Sequence, residues 1–354
     1  MNYVDKVVIG MSGGVDSSVA ALILKNKGYE VIGVTLNVWQ EDNTECGIKA
    51  IEDAKQVADK LGIEHHVVDY KEKFKSEVIS KFIEEYIEAR TPNPCNICNR
   101  FVKFNGLLEY ANSIGAKYIA TGHYAKVEMD TNTGRYYIKK AKTDKKDQTY
   151  ALYNLTQEQL SRVLMPLGDF EKEDVRKIAE DNGLINANKK DSQEICFVPD
   201  KDYAKYIEKN AGYVPKQGNF VDVSGNIYGK HKGIIHYTVG QRRGLGLSLK
   251  QPMYVIGLNK KDNTVLIGTE KQLERDTIVC CDVNFMPILK LDMPLKVDVK
   301  IRYNARPAKA TITAIENGKV KVVFDSPVKG VAPGQACVFY IEEKLLGGGI
   351  IMGD

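Results

Sequence analysis

Lys6-Val7-Val8-Ile9-Gly10-Met11-Ser12-Gly13-Gly14-Val15-Asp16-Ser17-Ser18-Val19 is a strand, a turn and the start of a helix in one stretch. Lys6–Gly10 reads as a buried strand; Val19, Leu22 and Ile23 then recur at helical spacing and stop before Gly28, a good C-terminal cap. Between them, Gly13 and Gly14 let the backbone approach an anion closely. The helix start aims N–H groups and its positive dipole end at that anion, and the hydroxyls of Ser12, Ser17 and Ser18 add donors. The simpler alternative is a plain helix N-cap by Asp16 or Ser17. Two adjacent glycines flanked by three serines favour the anion site, and ATP is the expected ligand. The Gly-Lys-Ser/Thr ending whose lysine reaches the β and γ phosphates is missing, so a different cut of ATP is implied.

Outward from this stretch, Val31–Leu36, Val67–Asp69 and Tyr118–Thr121 read as further strands. Helices are expected through Ile51, Ala54, Ala58 and Leu61 up to Gly62, over Phe74–Arg90 and over Phe104–Ile114. That alternation predicts an α/β, doubly wound parallel sheet with helices on both faces. Beyond about residue 205 the period becomes two, as in Leu295, Val297, Val299 and Ile301 against Lys296, Asp298, Lys300 and Arg302. Short strands at Tyr254–Leu258, Val265–Gly268, Lys309–Ile315, Lys319–Phe324 and Ala336–Ile341, separated by Gly, Pro and Asn turns, predict small barrels. The expected domains are a nucleotide-binding catalytic domain over 1–204, a small mainly-β central domain over 205–275 and a C-terminal β-barrel over 276–354.

A chain of 354 residues, 43% hydrophobic, can bury the cores of two or three domains. No run approaches the roughly 18 uncharged apolar residues of a membrane helix, and no secretory signal opens the chain, so no membrane partner and a cytoplasmic location are expected. Seven cysteines without such a signal argue against a disulfide framework and make reactive or metal-binding thiols worth testing. Core packing is the favoured reading of Cys46, Cys280, Cys281 and Cys337. Cys95 and Cys98 instead sit among prolines and asparagines in a loop-like stretch, where burial is not the default. The net charge of +4 is unevenly spread: 95–150 holds 10 basic against 5 acidic residues, and 226–309 holds 15 against 7. Such segments suggest a polyanion partner, or are ordinary solvated lysines. Arg242 and Arg243, between glycines, suit phosphate contacts or stand merely solvated.

Beyond the loop stand Arg90-Thr91-Pro92-Asn93-Pro94-Cys95-Asn96-Ile97-Cys98-Asn99-Arg100, Thr121-Gly122-His123-Tyr124, Lys146-Asp147-Gln148 and Asp191-Ser192-Gln193-Glu194-Ile195-Cys196-Phe197. Tyr237-Thr238-Val239-Gly240-Gln241-Arg242-Arg243-Gly244-Leu245-Gly246 and Pro333-Gly334-Gln335 follow. The loop resembles the PP-loop ATP pyrophosphatases, and the whole set, end to end, resembles the bacterial tRNA-uridine 2-sulfurtransferases. The resemblance implies that ATP, with Mg²⁺, activates the C2 oxygen of the wobble uridine in tRNAs of the Lys, Glu and Gln type. A cysteine persulfide, charged by a cysteine desulfurase or sulfur carrier, would then supply sulfur. It implies that Cys98 is the nucleophile and Cys196 the persulfide carrier. ATP would meet Gly10, Met11, Ser12, Gly13, Gly14, Val15, Asp16, Ser17, Leu36 and Gly122. The target base would meet Asn93, Pro94 and Cys95, and tRNA would meet His123, Lys146, Asp147, Gln148, Arg302, Tyr303 and Gln335.

Many members of that family have Asp where this chain has Cys95. The replacement creates a Cys-x-x-Cys pair, and with Cys196 three thiols could converge. Three thiolates suit a [4Fe–4S] cluster, as in the iron–sulfur tRNA thiolases this arrangement resembles, or a zinc ion; the other reading is a metal-free site. Two further functions stay open. A PP-loop ligase or amidase acting on a small metabolite explains Ser12–Ser18 but neither the β domains nor the cysteines. A non-catalytic RNA-binding module would leave the intact loop unexplained.

Overall fold

A computed structural model describes residues 4–38, 45–189, 195–198 and 202–353. The chain opens with β1 (Lys6–Gly10), α1 (Val15–Asn26), β2 (Glu30–Asn37), α2 (Glu45–Leu61) and β3 (Glu64–Asp69). The helix expected over Phe74–Arg90 is interrupted: α3 (Lys71–Phe74), a π turn (Lys75–Ile79) and α4 (Ser80–Ile87) succeed one another and stop before Ala89, whose φ is +58°. Next come α5 (Pro94–Cys98), a second π turn (Asn99–Phe104), α6 (Asn105–Ser113) and β4 (Tyr118–Ala120). β5 (Ala125–Met129), β6 (Tyr136–Lys140), α7 (Gln157–Arg162), β7 (Val163–Leu164) and α8 (Lys172–Asp181) complete the first region.

The first sheet is parallel throughout, in the order β3-β2-β1-β4-β7. Alternation along β1 feeds two cores: Val7 and Ile9 pack with α1 and α2, and Val8 packs with Phe104 and Leu107. The strand order reverses at β1, so the carboxyl ends of β1 and β4 flank a crevice, the place where open parallel sheets bind ligands. The glycine-rich turn leaves β1 at this crevice, and Thr121–Tyr124 leaves β4 there.

After α9 (Tyr203–Ala211), the strands β8 (Gly218–Val221), β9 (Ile227–His231), β10 (Tyr254–Asn259) and β11 (Thr264–Gly268) form a sheet ordered β10-β11-β8-β9 around Phe220, Val255, Val265 and Ile267. The last strands are β12 (Glu274–Phe285), β13 (Leu295–Lys300), β14 (Ala308–Ala314), β15 (Val320–Lys329), β16 (Ala336–Ile341) and β17 (Lys344–Ile351). They run β12-β15-β14-β13-β16-β17 and close through β12–β17, an antiparallel barrel with Val297, Val299 and Ile301 inside as their alternation predicts. Closure needs Gly347, at φ +150°, where a Cβ would run into the Asn284 carbonyl.

One pairing was not legible in the sequence. The hairpin β5–β6, from the first region, extends the barrel sheet through Lys139↔Lys344 and Ile138↔Leu345. Tyr137 and Ile138 are both buried there, in one core with Val338, Tyr340 and Leu345. Among the described residues no helix is long and apolar enough to cross a membrane.

Candidate active site

The turn after β1 is built around atoms that only glycine allows. Gly13 has φ +69°, and a Cβ there would collide with the Ala50 carbonyl. Gly14 is the N-cap of α1 in extended conformation with no side-chain cap; neither Asp16 nor Ser17 plays that part. Ser17 Oγ and Ser18 Oγ instead donate back to Gly14 O at 3.1 and 2.9 Å, and Ser12 N donates to Ser17 Oγ at 3.3 Å. The first N–H groups of α1 thus remain unclaimed by side chains, the condition for binding an anion. A Cβ on Gly122 would lie 2.7 Å from Ser17 N, so the exit of β4 rests directly on this turn. Leu36, near the end of β2, packs in the core with Val8 and Leu107.

Four residues that sequence reasoning did not assign brace the turn. Lys172 Nζ donates to Asp16 Oδ1 and Oδ2 at 2.7 and 2.8 Å, and Tyr124 OH donates to Asp16 Oδ1 at 2.8 Å. Asn186 Nδ2 donates to Ser18 Oγ at 2.8 Å and Gly13 O at 3.3 Å. Lys189 Nζ donates to Gly13 O at 3.1 Å and Asp53 Oδ2 at 2.6 Å. Tyr124 and Lys189 stood beside quoted motifs; nothing local marks Lys172, a charged residue at a helix start.

Cys95 and Cys98 stand on the short helix α5. Asn93 caps α5 by accepting from Cys95 N at 3.2 Å, with Pro94 as first helical residue. Asn99 Nδ2 donates to Ala151 O at 2.9 Å and Asn154 Nδ2 to Asn96 O at 3.1 Å, which anchors the short helix. Cys98 is half-buried against Ile97, Val102 and Phe197; Phe197, next to Cys196, meets Phe82 edge-on at 5.2 Å. Phe197 thus brings the backbone of Cys196 to the cluster that holds Cys98. Of its quoted motif, Asp191–Glu194 lie outside the described residues, as does the side chain of Cys46.

Burial pushes the Cys98 thiol up to about 11 and the Cys196 thiol up to about 12, and it raises Cys95 as well. Yet Cys95 and Cys196 are exposed to solvent. Both hold for thiols that water reaches while the surrounding protein raises the cost of charge. Cys95 and Cys98 each add a like-charge contribution at Cys196. Among the described residues, however, no three or more His, Cys, Asp or Glu side chains stand close enough to hold a metal ion. As placed, the thiols are not a ligand set for a [4Fe–4S] cluster or for zinc. His123 has its Nδ1 2.8 Å from Thr121 Oγ1 and its ring stacked on Phe104 at 5.7 Å. Burial, then the charge of Lys103, holds it well below the usual imidazole range, so it is neutral at pH 7.

The remaining sequence candidates fall in two groups. Tyr303 OH donates to Asp147 O at 3.2 Å, and Gln148 Oε1 accepts from Tyr124 N at 2.9 Å, so the Lys146–Gln148 loop lies between barrel and crevice. Gln335 Nε2 reaches Thr91 O, just before Asn93 and Pro94. Arg302 is half-buried and directs Nε and Nη2 to Gly330 O, a staple within the fold. Arg242 and Arg243 stand exposed on the central domain, while Cys280 and Cys337 are fully buried in the barrel.

Residues 5–200 match the family model described as the tRNA methyl transferase HUP domain, 204–269 the tRNA methyl transferase PRC-barrel domain, and 275–351 the Aminomethyltransferase beta-barrel domain. The chain is 53% identical over 353 residues to a Clostridium perfringens protein, covering 98% of each. It is 52% identical over 352 residues to one from Clostridioides difficile (98% of each). A third, from Acetivibrio thermocellus, is 53% identical over 354 residues, covering 98% of this chain and 99% of that one. All three carry the name tRNA-specific 2-thiouridylase MnmA. With a phosphate-ready turn, a pair of thiols on α5 and this identity over nearly its full length, the chain belongs to the tRNA-specific 2-thiouridylase family.

Proposed function

We propose that the protein replaces the C2 oxygen of the tRNA wobble uridine with sulfur, cutting ATP between its α and β phosphates. The observation that carries this is the β4 exit: Gly122 lies against the phosphate turn, and His123, the next residue, stacks on Phe104 and feels the charge of Lys103, as Cys98 and Cys196 do. A carbonyl activated on one side is within the same crevice as a sulfur nucleophile on the other.

ATP supplies the adenylyl group that makes the C2 oxygen a leaving group. The turn Gly10–Ser17 grips its phosphates; Mg²⁺ enters with them, since the Asp16 carboxylate is already committed to Lys172 and Tyr124. Asn93, Pro94 and Cys95 frame the base. The terminal sulfur of a Cys196 persulfide forms the C2–S bond as the C2–O bond breaks, and the electron pair departs with AMP. The Cys98 thiolate then takes the Cys196 sulfur. The old S–S pair of electrons stays on the sulfur now attached to C2, a Cys98–Cys196 disulfide forms, and a dithiol reductant restores both thiols. A cysteine desulfurase or sulfur carrier recharges Cys196, in the cytoplasm, where thiols stay reduced. His123, Lys146, Asp147, Gln148, Tyr303 and Gln335 line the tRNA approach. The experiment is incubation of tRNA of the Lys, Glu or Gln type with protein, ATP and a persulfide donor. Nucleoside analysis should show 2-thiouridine, with AMP and pyrophosphate formed together; ADP and phosphate as the products would refute the reading.

A further inference from the structure

Lys103 is the basic residue whose charge reaches Cys95, Cys98, Cys196 and His123 alike. Its direction follows from the π turn Asn99–Phe104. Five residues separate Lys103 from Cys98. In an α-helix of 3.6 residues per turn that spacing sends side chains to different faces, whereas an i→i+5 helix brings them together. Its two neighbours hold it from both sides. Val102 is buried in the cluster that contains Cys98 and Phe197, and Phe104 is buried beneath the His123 ring. Lys103 thus lies between a residue packed with Cys98 and one packed under His123. Among the described residues this half-buried ammonium has no counter-charge, and an incoming anion would supply one.

We propose that Lys103 is a positioning residue for the sulfur-transfer half of the reaction, holding the negative charge that passes from the persulfide of Cys196 to the departing AMP and, in the second step, the charge that passes from the Cys98 thiolate to the sulfur on C2. The inference rests on the roles proposed above for those two cysteines. It assigns Lys103 no part in forming the adenylated base, because the phosphate turn is braced by Lys172 and Lys189 instead. The two half-reactions therefore respond differently to its loss.

The test is single-turnover kinetics on wild type, Lys103→Met and Lys103→Arg with tRNA, ATP and a persulfide donor, following pyrophosphate release and 2-thiouridine formation separately, with melting temperatures for all three. Lys103→Met should release pyrophosphate within about threefold of wild type but form 2-thiouridine about a hundredfold more slowly, the usual scale for removing one charge-stabilising group. Lys103→Arg should recover at least about a tenth of the lost rate. Thiolation by Lys103→Met within threefold of wild type overturns the proposal. So does an equal fall in both steps, or an arginine variant no better than methionine at unchanged melting temperature. A wild-type protein that releases pyrophosphate yet forms no 2-thiouridine overturns the functional reading, and the role of Lys103 with it.

Discussion

Gln335, at the start of the barrel's last hairpin, donates its side-chain amide to Thr91 O at 2.8 Å and to Pro92 O at 3.2 Å. Thr91 N in turn donates to Pro333 O at 2.7 Å, so the barrel clasps the chain immediately ahead of Asn93 and Pro94. Gln335→Ala should cost about 1–2 kcal/mol of stability, the net worth of two such bonds. Thiolation should fall by more than that loss accounts for, because the cap on α5 loses its support, while ATP binding persists. Parallel measurement of urea midpoints and thiolation rates checks this; a rate unchanged at saturating tRNA would disprove the clasp's role.

Cys98→Ser and Cys196→Ser should each abolish thiolation and leave ATP binding intact, since neither touches the phosphate turn. Cys281→Ser, whose thiol merely donates to Ile350 O at 3.7 Å, should retain nearly full activity. Mass spectrometry of persulfide-loaded protein adds a direct readout: the extra sulfur should be lost from Cys196→Ser alone. Its retention there would remove the carrier role.

Lys172 has 9% of its side chain exposed and is paired to Asp16 through two short bonds. Lys172→Met should destabilise the protein by about 3 kcal/mol, because it strands a carboxylate. Asp16→Asn added to it should restore part of that loss, since no charge is then left unpaired. Both variants should bind ATP more weakly. Thermal melts of the four proteins of this cycle decide it, and additive losses would show that the pair is not coupled.

Binding of tRNA should weaken steeply with salt if phosphates carry it. Arg242→Ala, at an exposed site, should lower the salt-dependence slope by about one unit. Arg302→Ala should act differently: its guanidinium is spent on Gly330 O, so its loss should show first in stability. Titrations at several salt concentrations separate the two, and equal slopes for wild type and Arg242→Ala would exclude a phosphate contact there.

His65, His123, His231 and His236, four of the five histidines, are all held below the usual range, in each case chiefly by burial. The unfolded chain then binds more protons than the fold once pH drops below about 6.5. Their contribution to stability is fully present above that pH and is lost on going from about 6.5 toward 5. Denaturant midpoints at pH 7.5, 6.5 and 5.5 should therefore fall only over the lower interval. A midpoint that is flat down to pH 5.5 would contradict the burial of these rings.

Local order was enough to expose the phosphate turn and the barrel strands. A strand, two glycines and a helix start are contiguous, so the anion site is written within fourteen residues, and the period of two through Leu295–Ile301 marks a half-buried strand whatever it pairs with. The cysteines at 95, 98 and 196 were legible as residues, not as one neighbourhood. Their nearness depends on Phe197 entering the Val102–Cys98 cluster, a contact between segments about a hundred residues apart that leaves no periodic trace. The same limit hid Lys172, Asn186 and Lys189, which reach the turn from 156 to 176 residues away. A lysine reads as a solvated charge until a buried carboxylate or carbonyl is set against it. The place of the hairpin β5–β6 was hidden for a similar reason: only the packed fold decides that Tyr137 and Ile138 are buried with Val338, Tyr340 and Leu345.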